Sequence, residues 1–275
     1  MPDAAKVASV SELLRASGLP PLEARALLAQ QLGCTREALV AHPERSVTDA
    51  AAAAFGALAR RRRSGEPLAY LLGEREFYGR AFAVTPAVLI PRPETELLVS
   101  LALDRAKQID HPAILDLGTG SGCVAITLAL EAPQATVVAT DIDTAALDIA
   151  RANATRHRAR VTFIESNWYS AIEGRFDLIV ANPPYVAGAD PHLPDLQREP
   201  QLALLAGKDG LDHVRTIVAA SPAHLRSGGW LALEHGYDQA SPIRDLFASA
   251  GFESVSTFKD VAGIARVTSG HLPQT

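Results

Sequence analysis

The stretch from Ile114 to Gly122, Ile-Leu-Asp-Leu-Gly-Thr-Gly-Ser-Gly, constrains the fold more than any other part of the chain. An apolar strand runs into glycines at every second position, and a helix signal follows from Cys123-Val124-Ala125. Gly118, Gly120 and Gly122 permit a tight turn and let a ligand approach the backbone closely. The first strand–helix turn of a nucleotide-binding sheet needs both properties. Short apolar runs at 113–117, 136–140, 161–164, 177–181 and 230–233 alternate with helical segments at 121–131, 143–157 and 210–226. This alternation predicts a Rossmann-like α/β fold with a doubly wound parallel sheet. Strand-like stretches at 252–258 and 264–268 bring the expected strands to seven.

The chain before this region reads differently. Residues 1–73 carry helix signals and almost no strand signals, and they are expected to form a small helical bundle. Ser9-Val10-Ser11-Glu12 fits a capping box, and Pro20-Pro21 opens a second helix that Gly33 ends. Thr48 or Asp49 caps an Ala-rich helix that runs into Arg60-Arg61-Arg62-Arg63. The four arginines read either as a partner-binding patch or as cations offsetting the dipole at a helix C-terminus. Residues 74–91 are expected to form a β-hairpin linker, turning at Gly79-Arg80, and residues 92–275 the catalytic domain.

Composition narrows the function classes. Of 275 residues, 48% are hydrophobic and 21% charged, which excludes a disordered or fibrous chain. Cys34 and Cys123 are the only cysteines, so no disulfide framework is expected and a reducing cytoplasm is the default. The net charge of −5 argues against a stable nucleic-acid or membrane partner. There is no signal peptide or spanning run, and the eight His residues show no ligand-like spacing, so no metal is expected. The protein reads as a soluble monomer.

The glycine loop is D-x-G-x-G-x-G rather than G-x-G-x-x-G. Asp116 would repel a pyrophosphate but attract a sulfonium or an α-amino group, which favours S-adenosyl-L-methionine over NAD. Asp141, ending the next strand, suits a ribose diol; the competing reading is a helix N-cap, which Asp143 could fill instead. Trp168, in the loop after the third strand, can cover an adenine face or pack in the core. Cys123 reads as a small buried residue at a helix start. The cofactor candidates read from the residues are therefore Asp116, Gly118, Gly120, Gly122, Asp141 and Trp168.

Asn182-Pro183-Pro184-Tyr185 follows the fourth strand. Consecutive prolines stiffen the loop and leave their carbonyls free. The Asn182 oxygen can accept one N–H of a planar –NH₂ group and the Pro183 carbonyl the other, while Tyr185 packs on its plane. An amide nitrogen is a poor nucleophile because its lone pair is delocalised. Accepting both hydrogens turns the lone pair toward a methyl donor and stabilises the charge developing on nitrogen. Asn182, Pro183 and Tyr185 are the catalytic candidates, and Asn182, Pro183, Pro184 and Tyr185 the substrate-binding ones.

These motifs resemble the HemK/PrmC family of protein-glutamine methyltransferases. The resemblance rests on Ile90-Pro-Arg-Pro-Glu-Thr-Glu96, the Asp116–Gly122 loop, Asn182–Tyr185, and the stretch from Glu199-Pro200 through Gly207 to Gly210. It implies methyl transfer from S-adenosyl-L-methionine to the N5 amide of the glutamine in the Gly-Gly-Gln motif of class I peptide chain release factors. S-adenosyl-L-homocysteine is the implied product, and translation termination the process modulated. It also implies that Thr119 and Ser121 join the cofactor contacts and that Asn182 touches both cofactor and substrate, and the family too has a helical first domain. Because all identifiable chemistry lies after residue 90, residues 1–73 are expected to recognise the protein substrate. One departure is Ala265, where the family usually has an acidic residue. The nearest rival keeps the chemistry and changes the substrate to an exocyclic amine, N6 of adenine in DNA or RNA. An NAD-dependent oxidoreductase and a non-catalytic adaptor are further rivals; Asp116 opposes the first, and the intact cofactor loop and amine clamp oppose the second.

Overall fold

The computed structural model describes residues 8–190, 193 and 197–274. Two compact units are present, Met1–Glu74 and Arg75–Thr275.

In the first unit, α1 (Val10–Ala16) starts at the Ser9–Glu12 capping box, and α2 (Pro21–Leu32) ends at left-handed Gly33, as the sequence predicts. Two short helices escaped the sequence reading. α3 (Arg36–Ala41) is capped by Thr35, whose hydroxyl accepts from the Ala38 N–H at 3.2 Å. α5 (Leu68–Leu72) begins after Pro67. Between them α4 (Asp49–Arg63) takes Thr48 as its cap. Val10, Leu27, Leu28, Leu39, Val47 and Phe55 form the core of this unit. Three of the four arginines are engaged within it. Arg61 pairs with Glu66 and Arg62 with Glu23 at 2.6 Å, while Arg63 donates to the Ser17 carbonyl. Arg62 and Arg63 thereby tie the end of α4 to other parts of the bundle, while Arg60, Arg61 and Arg63 stay exposed.

The hairpin comprises β1 (Glu74–Phe77) and β2 (Arg80–Ala83). Its two-residue turn is Tyr78-Gly79, both with positive φ (52° and 73°), one position earlier than Gly79-Arg80. Two positive φ values are what a right-twisted hairpin requires, and Tyr78 adopts one despite its Cβ. Phe77 and Phe82 are fully buried in a core shared with Leu98, Val99 and Ile126. The hairpin is thus built into the second unit.

That unit is organised by seven strands: β3 (Ala113–Leu117), β4 (Thr136–Asp141), β5 (Val161–Glu165), β6 (Phe176–Ala181), β7 (Leu225–Glu234), β8 (Glu253–Lys259) and β9 (Ala265–His271). The order across the sheet is β5-β4-β3-β6-β7-β9-β8. β3 to β7 run parallel, but β9 is antiparallel to both β7 and β8. The sheet is mixed where the alternation alone suggested a parallel one.

The near-continuous apolar strands are explained by helices on both faces. α6 (Thr95–Ala106), α7 (Cys123–Glu131) and α8 (Thr144–His157) contribute to the core on one face. α9 (Asp212–His224) and α10 (Ala240–Ser249) contribute Val214, Ile217, Ile243 and Phe247 to the core on the other. Strand pleating divides β3 between the layers: Ile114 joins the first core, Leu115 and Leu117 the second. α6 and α10 were not expected from the sequence. The order of strands reverses between β3 and β6, and ligands in open α/β sheets bind in the crevice at that switch point, beyond the carboxyl ends of the strands.

Candidate active site

The carboxyl ends of β3, β4 and β6 open into a cleft of about 1100 Å3, counting the solvent at its mouth. Asp116, Gly118, Thr119, Gly120, Ser121, Asp141, Trp168, Asn182 and Pro184 line it, so the structure brings together nine of the predicted site residues. Gly122, Pro183 and Tyr185 are not part of its lining. Gly122 instead serves packing. A Cβ there would come within 2.9 Å of Ile126 Cδ1 and 3.1 Å of Ala150 Cβ, so its absence lets α7 start close against α8.

Asp116 is 1% exposed, and burial pushes its carboxyl up to about 7. The Thr119 hydroxyl, donating to Asp116 Oδ2 at 2.7 Å, opposes that rise. Asp141 holds the glycine loop in shape. Its Oδ2 accepts from the Gly120 N–H at 2.8 Å and its Oδ1 from the Asp143 N–H at 3.0 Å. The cap of α8 is Asp143, which accepts from the Ala145 N–H at 2.8 Å. Asp141 thus stands at the cleft and does not cap the helix. Burial raises its carboxyl too.

Trp168 lies in left-handed backbone (φ 51°), a conformation that costs a bulky residue energy. Its ring sits against Gly118, where an added Cβ would meet it at 3.4 Å, and it tilts against His213 at 5.3 Å between centroids. Cys123 also lines the cleft, but burial pushes its thiol up to about 12. A protonated thiol of this kind is no nucleophile at neutral pH.

Asn182 leaves β6 with its side-chain amide held at one end. Its Nδ2 donates to Thr95 Oγ1 at 3.1 Å, whereas its buried Oδ1 has no partner among the described residues. An unpartnered buried acceptor is costly, and each one in a native structure calls for an explanation, such as a ligand or water that takes the position. Around it the Ile90–Glu96 segment is fixed by Glu199. That carboxylate pairs with Arg92 and accepts from the Ile90 N–H at 3.2 Å. The Asn182–Tyr185 loop is held from behind by Gln239, whose Nε2 donates to the Tyr185 carbonyl at 3.0 Å. Gly210 has φ +76°, and a Cβ on it would lie 2.4 Å from that same carbonyl oxygen. The two distant parts of the sequence motif therefore close on one loop. Burial pushes the Tyr185 phenol up to about 12, keeping it neutral.

Sequence reasoning missed Glu234, Gln239 and Asn153. Glu234 ends the apolar run of β7, as Asp141 ends β4, and a carboxylate in that position was a readable signal. Asn153 offered none. From the middle of α8 it bonds both backbone groups of Ala83 and the Ser121 carbonyl, linking hairpin to glycine loop.

Two family profiles match the chain: the PrmC N-terminal domain over residues 7–73 and the methyltransferase small domain over residues 93–198. A release factor glutamine methyltransferase of Burkholderia pseudomallei is 49% identical over 276 residues, covering 97% of each chain. One of Xylella fastidiosa is also 49% identical, covering 92% of this chain and 93% of its own. Among solved structures, a methyltransferase from Pyrococcus furiosus is 20% identical with a TM-score of 0.55. It covers 78% of this chain and 98% of that one, and shares the fold.

Proposed function

This chain belongs to the release factor glutamine methyltransferases, and from that premise we propose how its residues carry out methyl transfer to the N5 amide of the glutamine in the release factors' Gly-Gly-Gln motif. When bound, S-adenosyl-L-methionine supplies a methyl group activated by a sulfonium, and S-adenosyl-L-homocysteine leaves. The fit of a cationic cofactor is supported by Asp116, a carboxylate buried in the cleft that accepts from the Thr119 hydroxyl. Gly118, Gly120 and their neighbours Thr119 and Ser121 admit the nucleoside to the backbone. Asp141, with lone pairs beyond the two N–H groups it already accepts, takes the ribose hydroxyls, and Trp168 covers the base.

Asn182 on the cleft wall accepts one hydrogen of the substrate amide, with the carbonyl of Pro183, the next residue of the same loop though outside the cleft lining, as the acceptor of the other. This keeps the nitrogen lone pair directed at the methyl carbon and stabilises the positive charge that develops on nitrogen. Positioning does most of the rest, because the transfer is an in-line displacement. The single observation that carries this reading is the buried Asn182 oxygen without a partner on the wall of the cleft. Pro184 and Tyr185 shape the loop around the substrate, and residues 1–73 recognise the body of the release factor.

The test is methyl transfer from labelled S-adenosyl-L-methionine with purified release factor and bulk nucleic acid offered in parallel. Label in the release factor, lost when its Gly-Gly-Gln glutamine is replaced, is expected. Label in adenine with none in the factor would reverse the assignment.

A further inference from the structure

We propose that Gln239 is a positioning residue for methyl transfer, holding the Asn182–Tyr185 loop in register with the wall of the cleft that carries Trp168. The inference rests on the reading of that loop as the seat of the substrate amide. In-line transfer needs the nitrogen and the methyl carbon fixed relative to each other, and misplacement by about 1 Å can cost on the order of 100-fold in rate. Pro183 and Pro184 offer no N–H to a neighbour, so a fastening on them must take a carbonyl. With the Pro183 carbonyl given to the substrate, the loop is held at Tyr185.

One buried side-chain amide does the holding. Gln239, immediately before α10, is 8% exposed. Its Nε2 donates to the Tyr185 carbonyl at 3.0 Å and to the Gly210 carbonyl at 3.2 Å, while its Oε1 accepts from the Gly236 N–H at 2.9 Å. Turning the amide over would set its oxygen against two carbonyl oxygens, so its orientation is fixed. Glycines make the room: a Cβ on Gly210 would lie 2.6 Å from Nε2, and one on Gly236 3.2 Å from Oε1. Beyond Gly210 the chain enters α9, whose His213 ring tilts against Trp168. The substrate loop and the start of α9 are thus referred to the same point.

The turn that presents Gln239 is itself pinned from the sheet. The Gly236 carbonyl accepts from the Gln239 N–H at 3.1 Å and lies 2.8 Å from His235 Nδ1. A carbonyl only accepts, so Nδ1 carries the ring hydrogen, and Nε2 accepts from the Thr268 hydroxyl at 2.9 Å. Thr268 in turn accepts from the Thr257 hydroxyl at 2.8 Å. Burial lowers the pKa of His235, which favours this neutral form. Hydrogen bonds from β8 and β9 through the end of β7 therefore back the turn on which Gln239 stands.

The experiment measures kcat of the full chain on release factor at saturating cofactor, at a temperature where far-UV circular dichroism shows each variant folded, with Asn182→Ala as reference. Gln239→Glu keeps the shape and the acceptor for Gly236. Its second oxygen faces the Tyr185 and Gly210 carbonyls and can bond to one of them only while it holds a proton. Burial among acceptors makes that proton hard to remove. Relative to wild type, kcat should therefore be about tenfold down at about pH 8 and within about threefold at about pH 6. The charged and titratable groups near the socket, Tyr185, Asp209, Glu234, His235, Asp238 and Arg266, are common to both enzymes, so the ratio cancels their own titration. Gln239→Leu should be about tenfold down at every pH, with KM for S-adenosyl-L-methionine within about twofold. Should Gln239→Leu fail to fold, the pH profile of Gln239→Glu decides alone. Wild-type kcat in Gln239→Leu, or a Gln239→Glu loss that does not change with pH, would overturn the proposal. If Asn182→Ala itself turned over normally, the amide clamp would be the part that failed, and this proposal with it.

Discussion

Alanine at position 182 removes one acceptor from the cleft together with the 3.1 Å hydrogen bond to Thr95. Turnover of release factor by Asn182→Ala should fall on the order of 10²–10³, mainly in kcat, because the contact strengthens as charge develops on nitrogen. Steady-state kinetics at saturating cofactor checks this, and a near wild-type kcat would remove Asn182 from the chemistry. Asp116 gives a prediction of a different kind. Its carboxyl sits at about 7 in the ligand-free fold because burial disfavours the charge. A cation arriving beside it favours the ionised form and lowers that value. Below about pH 7 the free protein mostly holds the proton and the complex sheds it, so binding should release up to one proton. Affinity should then rise with pH up to about 7 and level off above it. Calorimetric titration in buffers of different ionisation enthalpy reads the proton directly; buffer-independent heats would place the positive charge elsewhere.

At the scale of elements, Gly122 is where helix packing and loop conformation meet. Gly122→Ala places a Cβ 2.9 Å from Ile126 and 3.1 Å from Ala150, at φ +81°. Both overpacking and strain predict destabilisation by about 1–3 kcal/mol, measurable by urea unfolding. Gly120→Ala, with an open surround, should carry only the strain of its φ of +55°. The elements also show what a sequence discloses. β3 spans residues 113–117 in the structure as in the sequence, because a strand buried on both faces must be apolar throughout and glycines mark its end. Asp116, Asp141 and Asn182 were legible for a related reason: polar groups at the ends of apolar strands have few structural uses. α3 and α5 were illegible because six and five residues hold too little periodicity to detect. The direction of β9 was illegible because a short apolar run looks the same in either orientation. The hairpin slipped by one residue because Tyr78 takes a left-handed conformation usually left to glycine.

At the scale of the molecule, each of the two units has its own apolar core. The cleft residues all lie between Ala87 and His213, in the second unit. A chain of Arg75–Thr275 should therefore bind S-adenosyl-L-methionine with near full-length affinity yet methylate intact release factor poorly. Full-length rates from the shortened chain would refute a recognition role for residues 1–73. The sheet has a further consequence at this scale. Among the described residues β8 pairs only with β9, and β9 alone joins it to β7. Translation delivers β8 first, so it emerges with no neighbour to bond and waits as an open edge until the following residues arrive. The order in which the ribosome writes these strands is the reverse of the order in which the sheet can accept them. The last hairpin must therefore add to the sheet as one piece.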